Sequence, residues 1–368
     1  MIKLDNSKEA KNRIESAREW MKEKGTDGLT LLPGDNFFYF TGCRIDSMER
    51  LTSLIVTMNS ETIICPKLME EQIRSGCGIQ NVITWNDSDD PFILLRELLE
   101  LNRIKRLAIE GSTPYSTFLK LRNMGVQDIA IADELYSKMR SRKSPKEIKL
   151  ISIAVSKSET AYSNTIKNLE RGISEIEVSE ILEQNFKKQG LSSPAFKTIV
   201  CFGENAALPH HEPSGRKLKK GDIVLIDFGG AYSGYASDTT RTVAYGALDR
   251  KWVKIYETVK KAQENTIESV RKNTRFSEID STAREIISET GFGDLFIHRV
   301  GHGLGISVHE EPYLVPDNLH TISKGTVFTV EPGIYVYGSG GVRIEDTLFF
   351  DGTKAQSFNS LEKDLIIL

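Results

Sequence analysis

The chain has 368 residues, 39% of them hydrophobic and 27% charged, with 48 basic against 51 acidic side chains and a net charge of −3. That length suits two domains, and the composition is that of a globular protein rather than a disordered one. The near-even charge balance gives no footing for a nucleic-acid partner or an anionic membrane surface.

The opening MIKLDNSKEAKNR lacks the apolar stretch of a secretory leader, and no apolar run is long enough to span a bilayer. Residues 13–24 read as a helix, with Ile14, Ala17, Trp20 and Met21 on one face and Gly25 as its stop. Apolar runs at 28–32, 37–40 and 51–58, parted by turn residues, read as strands. A helix fits 91–101 and a strand 107–109, so residues 1–140 are expected to form a small α/β domain. The four cysteines, Cys43, Cys65, Cys77 and Cys201, form no CxxC and suit a reducing, cytoplasmic setting.

The polar, basic stretch 140–146 marks a domain boundary, and a second domain is expected over 141–368. Ser144 can cap the next helix, with Pro145 at its first position and Glu147 completing a capping box. Further helices fit 176–189 and 252–270, and strands fit 198–202, 222–228, 239–244, 326–330 and 341–350.

Acidic residues interrupt these strands. Asp227 follows Ile223-Val-Leu-Ile226, Glu331 follows Thr326-Val-Phe-Thr-Val330, and Glu345 sits between Ile344 and the apolar Leu348-Phe-Phe350. An ionised carboxylate in such a run is costly unless it is paired or binds a metal. Asp238 lies eleven residues after Asp227 (238 − 227), across a turn-forming segment, and a hairpin there would set the two face to face. Arg343 shares a strand face with Glu345; it is a candidate for substrate binding, and its ordinary reading is a salt bridge to one of these acids. Five of the six histidines fall in two short segments, His210-His211 and His298 to His309, with His302 between two glycines. Several carboxylates with one or two imidazoles suit manganese, and the imidazole keeps cobalt or zinc open. The sequence contains no G-x-S-x-G, Walker loop or HExxH.

The blocks LPHHEPSGRKLKKGDIVLIDFGGAYSGYASDTTRT, HRVGHGLGISVHEEP, VFTVEPGIYV and GGVRIED resemble the prolidase, aminopeptidase P and methionine aminopeptidase superfamily, whose catalytic domain is the pita-bread fold. RIESAREWMKEKGTDGLTLL and DNFFYFTGC resemble the N-terminal domain of prolidases and aminopeptidases P, so the resemblance covers nearly the whole chain. It implies two divalent metal ions, manganese or cobalt first and zinc also open, held by Asp227, Asp238, His302, Glu331 and Glu345. It implies a catalytic proton shuttle at Glu331, with His210 and His309 stabilising the oxyanion and positioning the substrate. His298 and Arg343 would border the substrate, and His211, where relatives carry a small residue, would narrow the mouth of the pocket. The implied activity is hydrolysis of small peptides with proline in the second position, by a homodimer. An Xaa-Pro dipeptidase comes first; an aminopeptidase P acting on longer peptides is the alternative. Remoter ones are creatine amidinohydrolase and a non-catalytic binding protein of the same fold, and the complete ligand set argues against both.

Overall fold

The computed structural model describes residues 7–46 and 49–368, so the expected absence of a leader falls partly outside the described residues. The chain divides into two compact units, Met1–Met139 and Arg140–Leu368. No helix among the described residues is long and apolar enough to cross a membrane.

In the first unit α1 (Ser7–Lys24) leads to β1 (Gly28–Leu31), α2 (Asp35–Thr41), β2 (Ser53–Thr57), β3 (Glu61–Pro66), α3 (Glu70–Gly76) and β4 (Val82–Trp85). There follow α4 (Pro91–Leu101), β5 (Arg106–Ile109), α5 (Tyr115–Arg122), β6 (Asp128–Ile131) and α6 (Asp133–Arg140). One mixed sheet results, in the order β4-β3-β2-β1-β5-β6. Ile55, Ile64, Leu107 and Ile109 from its strands bury against Leu95 and Leu99 of α4 and Leu121 of α5. The aromatic run at 37–40 is helical rather than extended, because it lies within α2, which ends on Gly42 in the left-handed conformation at φ 73°. Glycine takes that conformation without the Cβ clash any other residue would meet.

The second unit opens with α7 (Pro145–Thr165), capped as expected: Ser144 accepts from the Glu147 N–H and the Glu147 side chain returns to Ser144. It continues through α8 (Glu175–Lys188), β7 (Ser193–Pro194), β8 (Ile199–Phe202), β9 (Asp222–Phe228), β10 (Gly230–Tyr232), β11 (Tyr235–Ala236), β12 (Thr239–Tyr245), α9 (Arg250–Ser269) and α10 (Phe276–Glu289). The closing strands are β13 (Gly301–Gly303), β14 (Glu310–Leu314), β15 (Val327–Val330), β16 (Gly333–Val336), β17 (Gly340–Arg343), β18 (Asp346–Phe350) and β19 (Ala355–Ser357).

β9 is the middle strand of the sheet β12-β9-β8 and is buried on both faces. Val224, Ile226 and Phe228 join Tyr162, Val178 and Leu182 of α7 and α8. Ile223 and Leu225 join Ile255 and Val259 of α9 and Ile279 and Ala283 of α10. Side chains alternate along a strand, so Asp227 falls on the α9/α10 face, where the other sheet, β14-β13-β15-β18-β19, also contributes Phe328, Val330 and Leu348. The stretch expected as one strand at 341–350 is two. β17 pairs with β16 and β18 with β15, so the chain changes sheets at Ile344-Glu345.

An ion triad anchors the start of β14. Glu310, 8% exposed at its side chain, is 2.5 Å from Arg140 Nη2 and 2.8 Å from Lys143 Nζ. Burial pushes its carboxyl up, but Lys143 and Arg140 more than offset this and hold it below the usual range. Removing one member of a buried ion pair costs about 3–5 kcal/mol. Glu310→Gln is therefore expected to lower stability by that order in urea unfolding at neutral pH. Because the folded carboxyl is depressed, its contribution is present above the unfolded value and lost as pH falls through the folded one. The deficit of the variant must shrink in acid; a constant deficit would assign the loss to packing.

Candidate active site

The acidic residues converge where strands change partners. Glu331 follows β15 and precedes β16, while Glu345 lies between β17 and β18. Because Val330 pairs with Asp346 and Gly333 with Arg343, the two glutamates occupy the same step of two adjoining ladders. Asp227 pairs with Thr240 rather than Asp238: β10 and β11 intervene, and Asp238 sits just before β12. The simple hairpin expected there is replaced by a diagonal approach. It still brings carboxylate oxygens of Asp227, Asp238 and Glu345 within 4.8 Å of one another.

His302 stands in the middle of β13 between two glycines that must be small. A Cβ on Gly301 would meet Thr329 O at 2.0 Å, and one on Gly303 would meet Glu311 O at 2.4 Å. His302 Nδ1 lies 3.1 Å from Gly303 O, which can only accept, so Nδ1 carries a proton. The other ring nitrogen, Nε2, is left to serve a cation or a carboxylate and faces Glu331 Oε1 at 3.2 Å and Asp238 Oδ2 at 3.7 Å. Ligand atoms of His302, Glu331 and Glu345 also lie within 4.8 Å of one another, as do those of Asp238, His302 and His309.

This donor set fits divalent cations. Asp227 Oδ1 and Asp238 Oδ1 are buried with no hydrogen-bond partner, and an unpaired buried carboxylate oxygen calls for a cation. Burial and the neighbouring carboxylates push Asp238 and Glu345 well above the usual range, and burial raises Asp227. Burial also opposes ionisation of Glu331, but the hydrogen bond and charge of His302 bring it down to about 2. Oxygen donors with one imidazole hold manganese, cobalt or zinc, and a ligating histidine usually gives its other ring N–H to a carbonyl, as His302 does.

Arg343 is buried and committed. It donates to Asp227 Oδ2 at 2.7 Å, Tyr335 Oη at 2.8 Å and Thr240 Oγ1 at 3.0 Å. Thr240 donates in turn to Glu345 Oε2 at 2.7 Å. His298 Nδ1 lies 2.7 Å from Arg299 O, and its Nε2 is 2.9 Å from the Tyr335 hydroxyl. Burial keeps this ring neutral by lowering its pKa, consistent with Nδ1 donating and Nε2 accepting. His210 and His309 are exposed to the cleft, and burial together with the adjacent His302 lowers His309 to about 4. His211 is tied back by Nε2 to the buried Glu175, 2.9 Å away. His320 is outside the cleft. The cleft holds about 360 Å³ and is lined by the acids and histidines just described together with Arg343, and its wall also includes Phe196, Lys197, Glu212, Arg299 and Val308; ligand pockets span about 300–1,000 Å³.

Sequence reasoning missed Tyr335, Thr240, Thr329, Arg299 and Glu175. Thr329 Oγ1 accepts the His302 N–H at 3.1 Å and donates to Glu331 Oε1 at 3.3 Å. A tyrosine hydroxyl carried into the buried strand β16 was the one readable signal, since such a group needs a partner.

Residues 149–351 match the model of metallopeptidase family M24, and residues 13–142 match the creatinase/prolidase N-terminal domain. The chain is 34% identical over 355 residues to a Xaa-Pro dipeptidase of Pyrococcus horikoshii, covering 96% of this chain and 98% of that one. It superposes on the crystal structure of a dipeptidase from Pyrococcus horikoshii with a TM-score of 0.91 and 38% identity, covering 97% and 100%. It superposes on the prolidase of Thermococcus sibiricus with a TM-score of 0.92 and 37% identity, covering 97% and 99%. The mixed α/β architecture is thus a creatinase/prolidase N-terminal domain followed by a pita-bread domain, and the chain belongs to metallopeptidase family M24.

Proposed function

We propose that the chain is an Xaa-Pro dipeptidase whose two divalent ions, manganese or cobalt, are held by Asp227, Asp238, His302, Glu331 and Glu345. The observation that carries this is the convergence of those five side chains with two buried carboxylate oxygens left unpartnered. The N-terminal domain and the relatives named Xaa-Pro dipeptidase and prolidase support the choice of proline substrates.

Ions in this cluster would supply Lewis acidity, making water acidic enough to attack at neutral pH and polarising the carbonyl. The chain's own groups do the rest. Oε1 of Glu331 is engaged by His302 and Thr329, which leaves Oε2 to take the water proton and pass it to the proline nitrogen. His309, neutral above about pH 4, and His210 reach into the cleft as donors for the developing oxyanion. His298, locked between Arg299 O and Tyr335, presents a fixed wall to the proline ring. Arg343 holds Asp227 and, through Thr240, Glu345.

A homodimer is proposed on family resemblance alone, and a cytoplasmic setting suits four buried cysteines with free thiols. Sedimentation of the active enzyme tests the first; a fully active monomer would reject it. The activity is tested by mass spectrometry of products from Met-Pro, Leu-Pro and Leu-Ala, with chelator and with manganese or cobalt restored. Chelated protein should be inactive and recover with metal, and the proline dipeptides should be cleaved far faster. Full activity in verified metal-free protein, or equal rates on Leu-Pro and Leu-Ala, would reject the reading.

A further inference from the structure

We infer that His211 and Glu175 are positioning residues, a latch that sets the loop carrying His210 against the metal-binding acids; this rests on the peptidase reading above. His210 lines the cleft and is exposed to it, and its ring makes no hydrogen bond among the described residues. A donor for a developing oxyanion is effective when it is held in place before the charge appears, so the placement of His210 has to come from its backbone. Pro209-His210-His211-Glu212 stand in the connection between β8 and β9. Between Leu208 and Ser214 the loop's own ties among the described residues are weak. They are one turn bond, from the His211 N–H to Leu208 O at 3.1 Å, and the Lys197–Glu212 pair, 67% and 73% exposed at its side chains. An exposed pair of that kind contributes little.

The fixed point is Glu175, the first residue of α8, whose side chain is fully buried. Its Oε1 accepts from the Phe202 N–H at 2.7 Å and from Asn205 Nδ2 at 2.9 Å. Its Oε2 accepts from the Ser214 N–H at 2.9 Å and the Ser214 hydroxyl at 2.6 Å. One carboxylate thus grips both ends of the loop. Phe202 closes β8, on which Ile199 pairs with Asp227 of β9, so the grip is referenced to the acids themselves. The fifth contact is His211 Nε2, 2.9 Å from Oε2, with the side chain 13% exposed. The other four partners of this carboxylate are donors, so it accepts from His211 as well and Nε2 carries the proton. This contact lies one residue from His210. It ties the middle of the loop to the buried anchor, and a hydrogen bond to a carboxylate there outweighs the exposed pair at Glu212.

The test measures kcat and KM on Leu-Pro for the manganese-loaded parent, His211→Ala, His211→Gln, His210→Ala and the double variant His210→Ala/His211→Ala. His211→Ala should lower kcat by about 10–100-fold, a misplacement of about 1 Å being enough for the upper figure, with KM changed much less. His211→Gln, whose amide can still donate to Glu175, should recover part of the loss. In the His210→Ala background the His211→Ala change should cost little, because a residue that acts through His210 has nothing left to place. Hydrogen exchange over residues 203–214 follows the latch without turnover: it should quicken in His211→Ala and stay near parental in His211→Gln. Parental kcat in His211→Ala, an equal loss in both backgrounds, or a His210→Ala enzyme as fast as the parent overturns the latch while the peptidase reading stands. So does unchanged exchange in His211→Ala, or a His211→Gln variant no faster than His211→Ala. A parent that cleaves no Xaa-Pro dipeptide overturns the peptidase reading, and the role given to His210 and its latch with it.

Discussion

Glu331→Gln is expected to lower kcat on Leu-Pro by about 10²–10⁴-fold, the usual cost of losing a general acid–base, with KM changed much less. The carboxylate is pinned between β15 and β16, its backbone N–H donating to Val300 O at 2.8 Å. Oε1 is held by Thr329 and faces His302, while Oε2 makes no hydrogen bond among the described residues. Held down to about 2 by His302, the group is ionised at neutral pH and begins the cycle as a base. The departing proline nitrogen must be protonated, and the same oxygen can deliver the proton just taken from water. Glutamine keeps the shape and one ligand oxygen but carries no proton. Metal content has to be measured on the same sample, because lost metal would mimic lost proton transfer. A variant with full metal content and near-parental turnover would make Glu331 a ligand only and move the shuttle to His210 or His309.

The acids were legible because they break local rules: a carboxylate in a buried apolar strand is conspicuous wherever the strand goes. Asp227, Glu331 and Glu345 stood out in this way and Asp238 by its spacing across a turn, and the structure brings their oxygens together. The partners that orient them were not legible. Arg343 reaches Asp227 over 116 positions of sequence and Thr240 over 103, and nothing local in Thr240 distinguishes it from an ordinary strand threonine. The domain-opening helix at Ser144 could be read because a capping box is a contact within four residues. The run Phe37-Phe-Tyr-Phe40 could not, since a short apolar run serves a buried helix as well as a strand, and here three of its four residues are buried in α2. The break between β17 and β18 was hidden for a related reason. Both halves read as extended, and only pairing with two different sheets sets Glu345 at the corner.

Adding manganese to the metal-free protein should raise its Tm, and the gain should grow as pH rises from about 5 to about 8. In the metal-free cluster Asp238 and Glu345 are pushed well above the ordinary carboxylate range, by burial first and then by their neighbours, and burial raises Asp227. A group whose folded pKa is raised holds its proton more tightly when folded, so its contribution is present below the unfolded value and lost as pH rises through the folded one. Glu331 has the opposite sign, but at about 2 its change falls below this window. The metal-free protein must therefore lose stability towards alkaline pH. The metal-loaded protein does not, because bound cations keep the same carboxylates ionised. At a free metal concentration of 100 times Kd, linkage predicts about 2.7 kcal/mol of stabilisation. Asp238→Asn separates this from a general effect of divalent ions. It removes a buried carboxylate whose Oδ1 has no partner, so the metal-free variant should be at least as stable as the parent at alkaline pH while its response to manganese shrinks. A parent Tm that ignores manganese, or a gain that is flat with pH and unchanged in Asp238→Asn, would mean that these carboxylates do not hold the metal.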